Sequence, residues 1–140
     1  MSDGYAGDIT PREAWQRLAH DPKAVLVDVR TAPEWNYVGV PDLAGLDRPL
    51  LRIEWQSFPD GTLNPRFAEQ VAAAGVAPGQ PVLLLCRSGA RSRSAAKLLT
   101  GLGWQECYNI SDGFEGPQDP SRHRGAVAGW KHDGLPWVQG

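Results

Sequence analysis

The sequence predicts an α/β fold with a mostly parallel central sheet and helices on both of its faces. Two apolar runs of strand length, residues 25–29 and 82–85, are separated by segments with helix start and stop signals. Strands that alternate with helices favour parallel pairing, because each parallel pair needs a crossover connection. The second run is apolar throughout, which is typical of a central strand covered on both faces. We expect a single domain over residues 1–140 with a core of about residues 9–137.

The first helix is predicted to begin just after Thr10. Thr10 supplies a cap hydroxyl, Pro11 suits the first helical position, and Glu13 stands three residues after the cap. Residues 25–29 come next and read Val-Leu-Val-Asp-Val. This run predicts a strand, because β-branched side chains pack well on a pleated surface.

The middle of the chain carries weaker signals. Residues 32–60 are rich in Pro, Gly and Asp, so they are predicted to form mostly loop with a short strand at about residues 51–55. A second helix is predicted from Asn64 to Gly75. Asparagine is a good N-cap, and glycine most easily takes the left-handed conformation that ends a helix.

The C-terminal half begins with the strand at residues 82–85, and a helix is predicted to start near Arg91 or Ser92. Its apolar residues recur at helical spacing before a closing glycine: Ala95, Leu98, Leu99, Leu102 and Gly103. The last strand is predicted at residues 107–110, and a short helix is predicted near residues 127–132.

The overall charge argues against nucleic acid as a partner. The chain has 14 basic and 16 acidic side chains and a net charge of −2, whereas nucleic-acid binders usually show a basic total or a long basic stripe. Basic residues nevertheless collect locally, because residues 70–105 contain no Asp or Glu. The basic residues of that window are Arg87, Arg91, Arg93 and Lys97. This distribution predicts an anion among them.

The sequence also lacks membrane and export signals. No stretch approaches the roughly 20 apolar residues that span a bilayer, and residues 1–5 lack the basic start of an export signal. We therefore expect a cytoplasmic protein without a membrane partner. In that reducing compartment Cys86 and Cys107 are predicted to be free thiols. Neither has His or Cys at ligand spacing, so we expect no metal and no other cofactor.

The cysteine that follows the predicted central strand stands where ligands bind in parallel sheets, just beyond the carboxyl end. A thiol reacts as thiolate, and its free pKa of about 8.5 falls near cationic side chains or a helix N-terminus. Both are expected beside Cys86, because Arg87 and Arg91 are near and a helix follows. Residues 88–90 are small enough for their amides to turn inward as an anion-binding nest, with Gly89 at a positive φ.

Several stretches resemble the motifs of rhodanese-type sulfurtransferases. Residues 86–92, which read Cys-Arg-Ser-Gly-Ala-Arg-Ser, are similar to the active-site loop of that family. Residues 26–30 followed by Glu-Trp at 34–35 resemble its Asp-Val-Arg signature after an early strand. Residues 109–114 and 129–136 are similar to its closing elements. The motifs occur in the family's order and span nearly the whole chain.

The resemblance implies an enzyme that moves a sulfane sulfur without a cofactor. In that family a loop cysteine takes sulfur from a small anionic donor such as thiosulfate and becomes a persulfide. It then passes the sulfur to cyanide or a thiol, including a protein thiol. By resemblance Cys86 is the sulfur carrier. The residues that would cradle the substrate are Arg87, Ser88, Gly89, Ala90, Arg91 and Ser92.

The chain departs from the family pattern between the first two motifs. Where the family often has Gly-His-Ile-Pro-Gly-Ala, residues 38–43 read Val-Gly-Val-Pro-Asp-Leu, so the histidine is absent. Residues 43–59 also look longer than a minimal domain needs. These differences concern substrate access and partner choice more than the persulfide chemistry.

Two other functions are compatible with the same residues. Cysteine-dependent phosphatases and arsenate reductases hold a tetrahedral anion in a loop with five residues between Cys and Arg. Here four residues separate Cys86 from Arg91, and Leu85 stands where phosphatases usually carry a histidine. The other alternative is a catalytically inactive rhodanese-like module that binds proteins, because a fold does not determine a function. The retained cysteine argues against that alternative.

Some polar and sulfur-containing residues are predicted to have structural roles. Asp28, Arg30 and Glu34 follow the first predicted strand, and we expect them to pair with each other or hold a neighbouring loop rather than touch substrate. Cys107 lies in a predicted strand, where a cysteine usually behaves as a small buried hydrophobe. We therefore expect Cys107 to be inert.

Overall fold

The computed structural model describes residues 4–57, 60–125 and 127–139. Its strands are β1 (Gly7–Ile9), β2 (Val25–Asp28), β3 (Val40–Pro41), β4 (Leu50–Arg52), β5 (Pro81–Leu85), β6 (Glu106–Ile110) and β7 (Trp137–Val138). Its helices are α1 (Pro11–His20), α2 (Ala32–Tyr37), α3 (Phe67–Ala73) and α4 (Ala90–Gly101), with a short 3-10 helix at Ala44–Leu46. Within these ranges, no helix has the length and apolar character needed to cross a bilayer.

Five strands form a parallel sheet in the order β1-β6-β5-β2-β4. β5 is the central strand, and all five of its residues are buried. β3 and β7 form a separate antiparallel pair that joins the middle of the chain to its C-terminal end. The α/β class, the parallel sheet and the central position of residues 82–85 are therefore confirmed.

The two faces of the sheet are covered by different helices, because successive side chains of a strand point to opposite faces. On one face, Val82, Leu84 and Cys86 belong to a cluster with Phe67 and Val71 of α3 and Ala95, Ala96 and Leu99 of α4. On the other face, Leu83 and Leu85 belong to a cluster with Ala14 and Leu18 of α1 and Phe114 and Trp130 of the C-terminal segment. Cys86 therefore points toward the face that α3 and α4 cover.

α1 begins where the sequence predicted. The Thr10 side chain accepts from the amide of Glu13 at 3.1 Å, and the Glu13 carboxylate accepts from the amide of Thr10 at 2.8 Å. This reciprocal capping satisfies amides that the first turn leaves without partners. Pro11 occupies the first helical position, as predicted.

The middle segment is more regular than predicted. Residues 32–60 were expected to be mostly loop, but they contain α2, β3, a 3-10 helix and β4. The short strand lies at Leu50–Arg52 instead of residues 51–55, because its register is set by parallel pairing with β2. Residues 58 and 59 of the segment at 43–59 lie outside the described residues.

Two helix predictions also need correction. The helix expected from Asn64 begins at Phe67, because residues 64–66 form a turn in which the Asn64 carbonyl accepts from the amide of Phe67. Residues 127–132 form bends and turns instead of a short helix. Gly129 there has a φ of 113°, a left-handed conformation that interrupts right-handed helix geometry.

α4 buries two of the four residues of its predicted apolar face, Ala95 and Leu99. Its buried residues are Ser92, Ala95, Ala96 and Leu99, whereas Leu98 and Leu102 are 40% and 58% exposed. Ser92 and Leu99 are seven residues apart and therefore share one side of the helix. The small side chains between them bring the helix close to the sheet and turn Ser92 toward Cys86.

Candidate active site

Cys86 is the first residue after the central strand, and its sulfur receives polar contacts from the residues that follow. The Gly89 amide donates a hydrogen bond to Cys86 Sγ at 3.0 Å. The Ser92 hydroxyl oxygen lies 3.2 Å from the same sulfur. Cys86 is only 1% exposed, so its side chain lies beneath the surface with part of its neighbourhood apolar. The loop nevertheless provides a fixed amide dipole at the sulfur.

The peptide groups that follow Cys86 turn their amides to one side. The carbonyls of Cys86 and Arg87 accept hydrogen bonds from the amides of residues 114–116. In a trans peptide the next N–H points opposite to the carbonyl, so the amides of Arg87 and Ser88 point away from that turn. Within the described residues, no acceptor contacts these two amides or those of residues 90–92. Unpaired amides at a helix N-terminus are suited to binding an anion.

Two glycines permit this arrangement. Gly89 has a φ of 108°, which confirms the predicted positive φ, and a Cβ there would overlap the Ser111 carbonyl oxygen. Gly113 has a φ of 65°, and a Cβ there would meet the carbonyls of Cys86 and Arg87. The loop can therefore approach the turn after β6 closely only because both residues lack side chains.

Arg91 is paired with an acid instead of being directed to solvent. Its two terminal nitrogens donate to the two carboxylate oxygens of Glu34 at 2.7 and 2.9 Å. Burial alone raises the pKa of Glu34, but the hydrogen bonds and charge of Arg91 outweigh it and lower that pKa to about 2. The same hydrogen bonds raise the pKa of the Arg91 guanidinium. This pair ties α4 to α2.

Asp28 and Arg30 form a second, fully buried pair below the loop. The Arg30 Nε and Nη2 atoms donate to the Asp28 carboxylate at 2.9 and 2.6 Å, and Nη2 also donates to the Gly39 carbonyl at 2.8 Å. The Arg30 guanidinium lies 4.3 Å from the centre of the Phe114 ring. The expectation that these residues pair with each other or hold a neighbouring segment is therefore confirmed, since Asp28 pairs with Arg30 and Glu34 pairs with Arg91.

A cavity of about 480 Å³ lies at the mouth of the loop. The sequence predicted two of its charged wall residues, Arg87 and Arg91, and Arg87 is exposed there. It did not predict the remaining walls, which come from three separate segments: Thr31, Pro33, Glu34, Val38, Gln56, Ser57, Gly61 and Glu115. Glu34 could have been predicted as a wall residue, because it belongs to the Glu-Trp pair that accompanies the Asp-Val-Arg signature. Residues 56–61 carry no comparable motif in the sequence.

Cys107 has a different environment. It lies in β6 opposite Val82 and is 0% exposed. Burial raises the pKa of the Cys107 thiol to about 11, although a hydrogen bond with Thr100 opposes that shift. Both cysteines are free thiols, as predicted. The expectation that Cys107 is inert agrees with this environment.

The described residues contain no group of three or more His, Cys, Asp or Glu side chains that could hold a metal ion. The candidate site consists of the loop at residues 86–92 and the cavity above it, which the Arg91–Glu34 pair borders. A buried sulfur under unpaired amides is an arrangement for binding an anion and for covalent chemistry at sulfur.

The chain is similar to a family model and to known proteins over most of its length. It matches the family model described as the STR4 middle domain over residues 6–140. It is 32% identical over 105 residues to the thiosulfate sulfurtransferase GlpE of Pseudomonas savastanoi pv. phaseolicola, which covers 75% of this chain and 81% of that protein. The chain belongs to the rhodanese-like family. The resemblance predicted from the motifs is therefore confirmed.

Two relatives resemble this rhodanese-like chain over nearly its full length. It is 49% identical to Rv0390 from M. tuberculosis, whose crystal structure matches with a TM-score of 0.88 over 97% of this chain and 99% of that one. It is 38% identical to the Rickettsia rickettsii protein named uncharacterized protein RP600 homolog, over 93% of this chain and 95% of that protein. The full-length likeness supports the fold.

Proposed function

We propose that this protein is a sulfurtransferase in which Cys86 carries the transferred sulfur as a persulfide. The Cys86 thiolate attacks the outer sulfur of thiosulfate, an S–S bond forms, the sulfur–sulfur bond of the donor breaks, and sulfite leaves with its electron pair. Cyanide or a thiolate then attacks the outer persulfide sulfur and releases the Cys86 thiolate. The donor is a small anion, and the acceptor is cyanide, a small thiol or a protein thiol.

The Gly89 amide at 3.0 Å from Cys86 Sγ is the observation that carries this proposal. It belongs to a loop whose neighbouring amides have no acceptor among the described residues and whose carbonyls face the opposite turn. A covalent intermediate that gains negative charge needs fixed dipoles where the charge develops. The loop supplies them without rearrangement of the backbone.

Of the two arginines on the cavity wall, only Arg87 has a side chain that can recognise an anion without first breaking an ion pair among the described residues. Arg91 is held by Glu34, whereas Arg87 is exposed on the cavity wall and makes no ion pair among the described residues. We propose that Arg87 attracts the donor and that Arg91 maintains the loop. Arg91 is less suited than Arg87 to bind the anion directly, because Glu34 already accepts hydrogen bonds from both terminal nitrogens of Arg91.

The ion pair between Arg91 and Glu34 argues against the phosphatase alternative. Arginine frequently binds a phosphate group with two parallel hydrogen bonds, and here both terminal nitrogens of Arg91 already donate to a carboxylate. The observation that favours an inactive binding module is the burial of Cys86, which is only 1% exposed. A module that only binds proteins would not take up sulfur, so sulfur uptake separates these functions.

The experiment is incubation of the protein with thiosulfate followed by intact mass measurement. We expect the mass of one sulfur atom to be gained, and then lost when cyanide is added, with thiocyanate released. Absence of uptake at saturating thiosulfate and at a polysulfide donor would favour the inactive module. Hydrolysis of an aryl phosphate without sulfur uptake would favour the phosphatase.

We further propose a cytoplasmic location, since both cysteines are free and a reducing compartment keeps a sulfur-carrying thiol available. Fractionation of cells that express the chain, with the loaded persulfide trapped by alkylation, tests this location. Recovery in a membrane or exported fraction would contradict it.

A further inference from the structure

A series of hydrogen bonds links the sulfur of Cys86 to the edge strand β1. The Ser92 hydroxyl oxygen lies 3.2 Å from Cys86 Sγ and 2.5 Å from Asn109 Oδ1. Asn109 Nδ2 donates to Asp8 Oδ1 at 3.0 Å, and the Tyr5 hydroxyl donates to the same oxygen at 2.8 Å. Ser92 and Asn109 are fully buried, so their partners come from the protein.

The number of protons in this series restricts how it can be arranged. The Ser92 hydroxyl has one proton, so it cannot donate both to the sulfur and to Asn109. Two oxygen atoms 2.5 Å apart need a proton between them. Asn109 offers a carbonyl oxygen there, so the proton must come from Ser92. The Ser92 lone pairs then face Cys86 Sγ, and the hydroxyl accepts a hydrogen bond from the thiol.

The orientation of the Asn109 amide is itself set by β1. An ionised carboxylate only accepts hydrogen bonds, so the amino group of Asn109 must face Asp8 and the carbonyl must face Ser92. Asp8 lies directly opposite Asn109 in the β1–β6 register. Burial, and then the hydrogen bond to Asp8, raise the pKa of Tyr5, so its phenol keeps its proton and donates.

We propose that Asn109, oriented by Asp8, is a positioning residue that reserves the Ser92 proton and thereby makes Ser92 favour the thiol of Cys86 over the thiolate. The Gly89 amide and the N-terminus of α4 act in the opposite direction. Both influences act on the pH at which the nucleophile forms. A cysteine that stays protonated reacts slowly with unwanted electrophiles. This consequence for catalysis rests on the proposed function, whereas the proton arrangement does not.

Charged groups on every element packed around the loop also act on the thiolate. They remain the same in all the variants described below, so their effects cancel in a comparison. They are Arg87 and Arg91 of the loop, Arg93 of α4, Glu34 of α2, Asp28 and Arg30 at the end of β2, Glu115 after β6, and Asp8 of β1.

The test is a pH titration of the ultraviolet absorbance of the thiolate, with the Cys86→Ser protein as the blank at each pH. Cys107 does not interfere near neutral pH, because burial raises its pKa to about 11. Asn109→Ala frees the Ser92 proton for the thiolate and lowers the titration midpoint by about one pH unit. Ser92→Ala removes the acceptor of the thiol proton and also lowers it.

The double variant gives the sharpest result. Adding Ser92→Ala to Asn109→Ala removes the Ser92 hydroxyl that had begun to donate to the thiolate, so the titration midpoint rises again. Ser92→Ala therefore lowers the midpoint in the wild-type protein and raises it in the Asn109→Ala protein. Ser94→Ala is the matched control, because Ser94 lies on the same helix and its hydroxyl makes one hydrogen bond among the described residues, to the Ala90 carbonyl. Its midpoint stays at the wild-type value.

A rise of the midpoint in Ser92→Ala alone, or an unchanged midpoint in Asn109→Ala, would overturn the proposal. If the buried substitutions prevent folding, the infrared S–H band of Cys86 in the Cys107→Ser protein decides. A band shifted to low frequency, as for a hydrogen-bonded thiol, supports the proposal, and the frequency of a free S–H contradicts it. These measurements need no sulfur transfer, so absence of sulfur uptake would refute the proposed function alone.

Discussion

Cys86 and Cys107 are both buried in one parallel sheet, Cys86 just beyond the end of β5 and Cys107 within the neighbouring strand β6. Cys86 follows the last residue of β5, where the chain leaves the sheet and the next helix begins. Cys107 lies within β6, opposite Val82. The sulfur of Cys86 receives the Gly89 amide, whereas burial raises the pKa of Cys107 to about 11.

This difference shows that burial alone does not decide whether a cysteine is inert. Within a strand the neighbouring amides and carbonyls pair with each other, so the side chain receives no backbone donor. Beyond the carboxyl end the amides of the next loop and helix have no partners in the sheet. A cysteine at that position can be as buried as Cys107 and still contact a backbone donor.

The largest expected effect comes from exchanging each sulfur for oxygen. Cys86→Ser loses thiosulfate:cyanide sulfur transfer entirely, because an alcohol does not form the persulfide, while its circular dichroism and thermal midpoint stay near wild type. Cys107→Ser is the matched control and keeps its activity, since its hydroxyl can pair with Thr100. Turnover retained in Cys86→Ser would show that the comparison is wrong.

The second prediction concerns the backbone that makes the two cysteines different. Gly89→Ala places a Cβ against the Ser111 carbonyl at a φ of 108°. We expect a loss of about 2–4 kcal/mol in the free energy of unfolding and loss of sulfur uptake, measured by urea denaturation and mass. Gly101→Ala, at the C-terminal end of α4, meets nothing within 4 Å and has no positive φ, so it should be neutral or stabilising. Equal effects at both positions would contradict the strained-loop account.

The third prediction concerns the pair that holds the loop. The pKa of Glu34 is about 2 against an ordinary value of 4.5, so its contribution to folding is present above pH 4.5 and is lost as the pH falls toward 2. Glu34→Gln should lower the free energy of unfolding by about 2 kcal/mol at neutral pH, a value discounted for partial exposure.

Urea unfolding measured from neutral to acid pH tests this prediction, because the gap between wild type and Glu34→Gln should close as Glu34 is protonated. Glu69→Gln is the control, since its ion pair with Arg66 is 72% and 71% exposed. That substitution should change little at any pH. A constant gap between wild type and Glu34→Gln over the whole range would rule out the pair as its source.

The smallest expected effect concerns the exposed arginine on the cavity wall. Arg87→Ala should lower kcat/KM for thiosulfate by about tenfold at low salt and less at high salt, because exposed charges are screened. Lys97→Ala removes the same charge from the exposed side of α4 and should change kcat/KM much less. Equal losses in both variants would indicate net charge rather than a contact at the site.

The sequence was sufficient for features whose cause is local. The capping residues around Thr10, the apolar run of β5 and the glycine at position 89 each have a physical requirement that can be recognised without the rest of the chain. Their predicted roles agree with the structure.

Features created by contacts between distant segments were missed. α2 has six residues, none of them buried, so it lacks the apolar stripe that predicts a helix. β1 has three residues, one a glycine, and exists through its pairing with β6. Ala95 and Leu99 of the predicted face of α4 are buried, but Leu98 and Leu102 are exposed, and Ser92 and Ala96 complete the buried side instead. The cavity walls at Gln56 and Glu115 come from separate segments that no sequence spacing relates.

Locating the added sulfur tests the central claim most directly. The protein is loaded with thiosulfate, its persulfide is trapped by alkylation, and the masses of the peptides that carry Cys86 and Cys107 are measured separately. The account predicts the extra sulfur on the Cys86 peptide alone. Extra sulfur on the Cys107 peptide, with the Cys86 peptide unmodified, would contradict it.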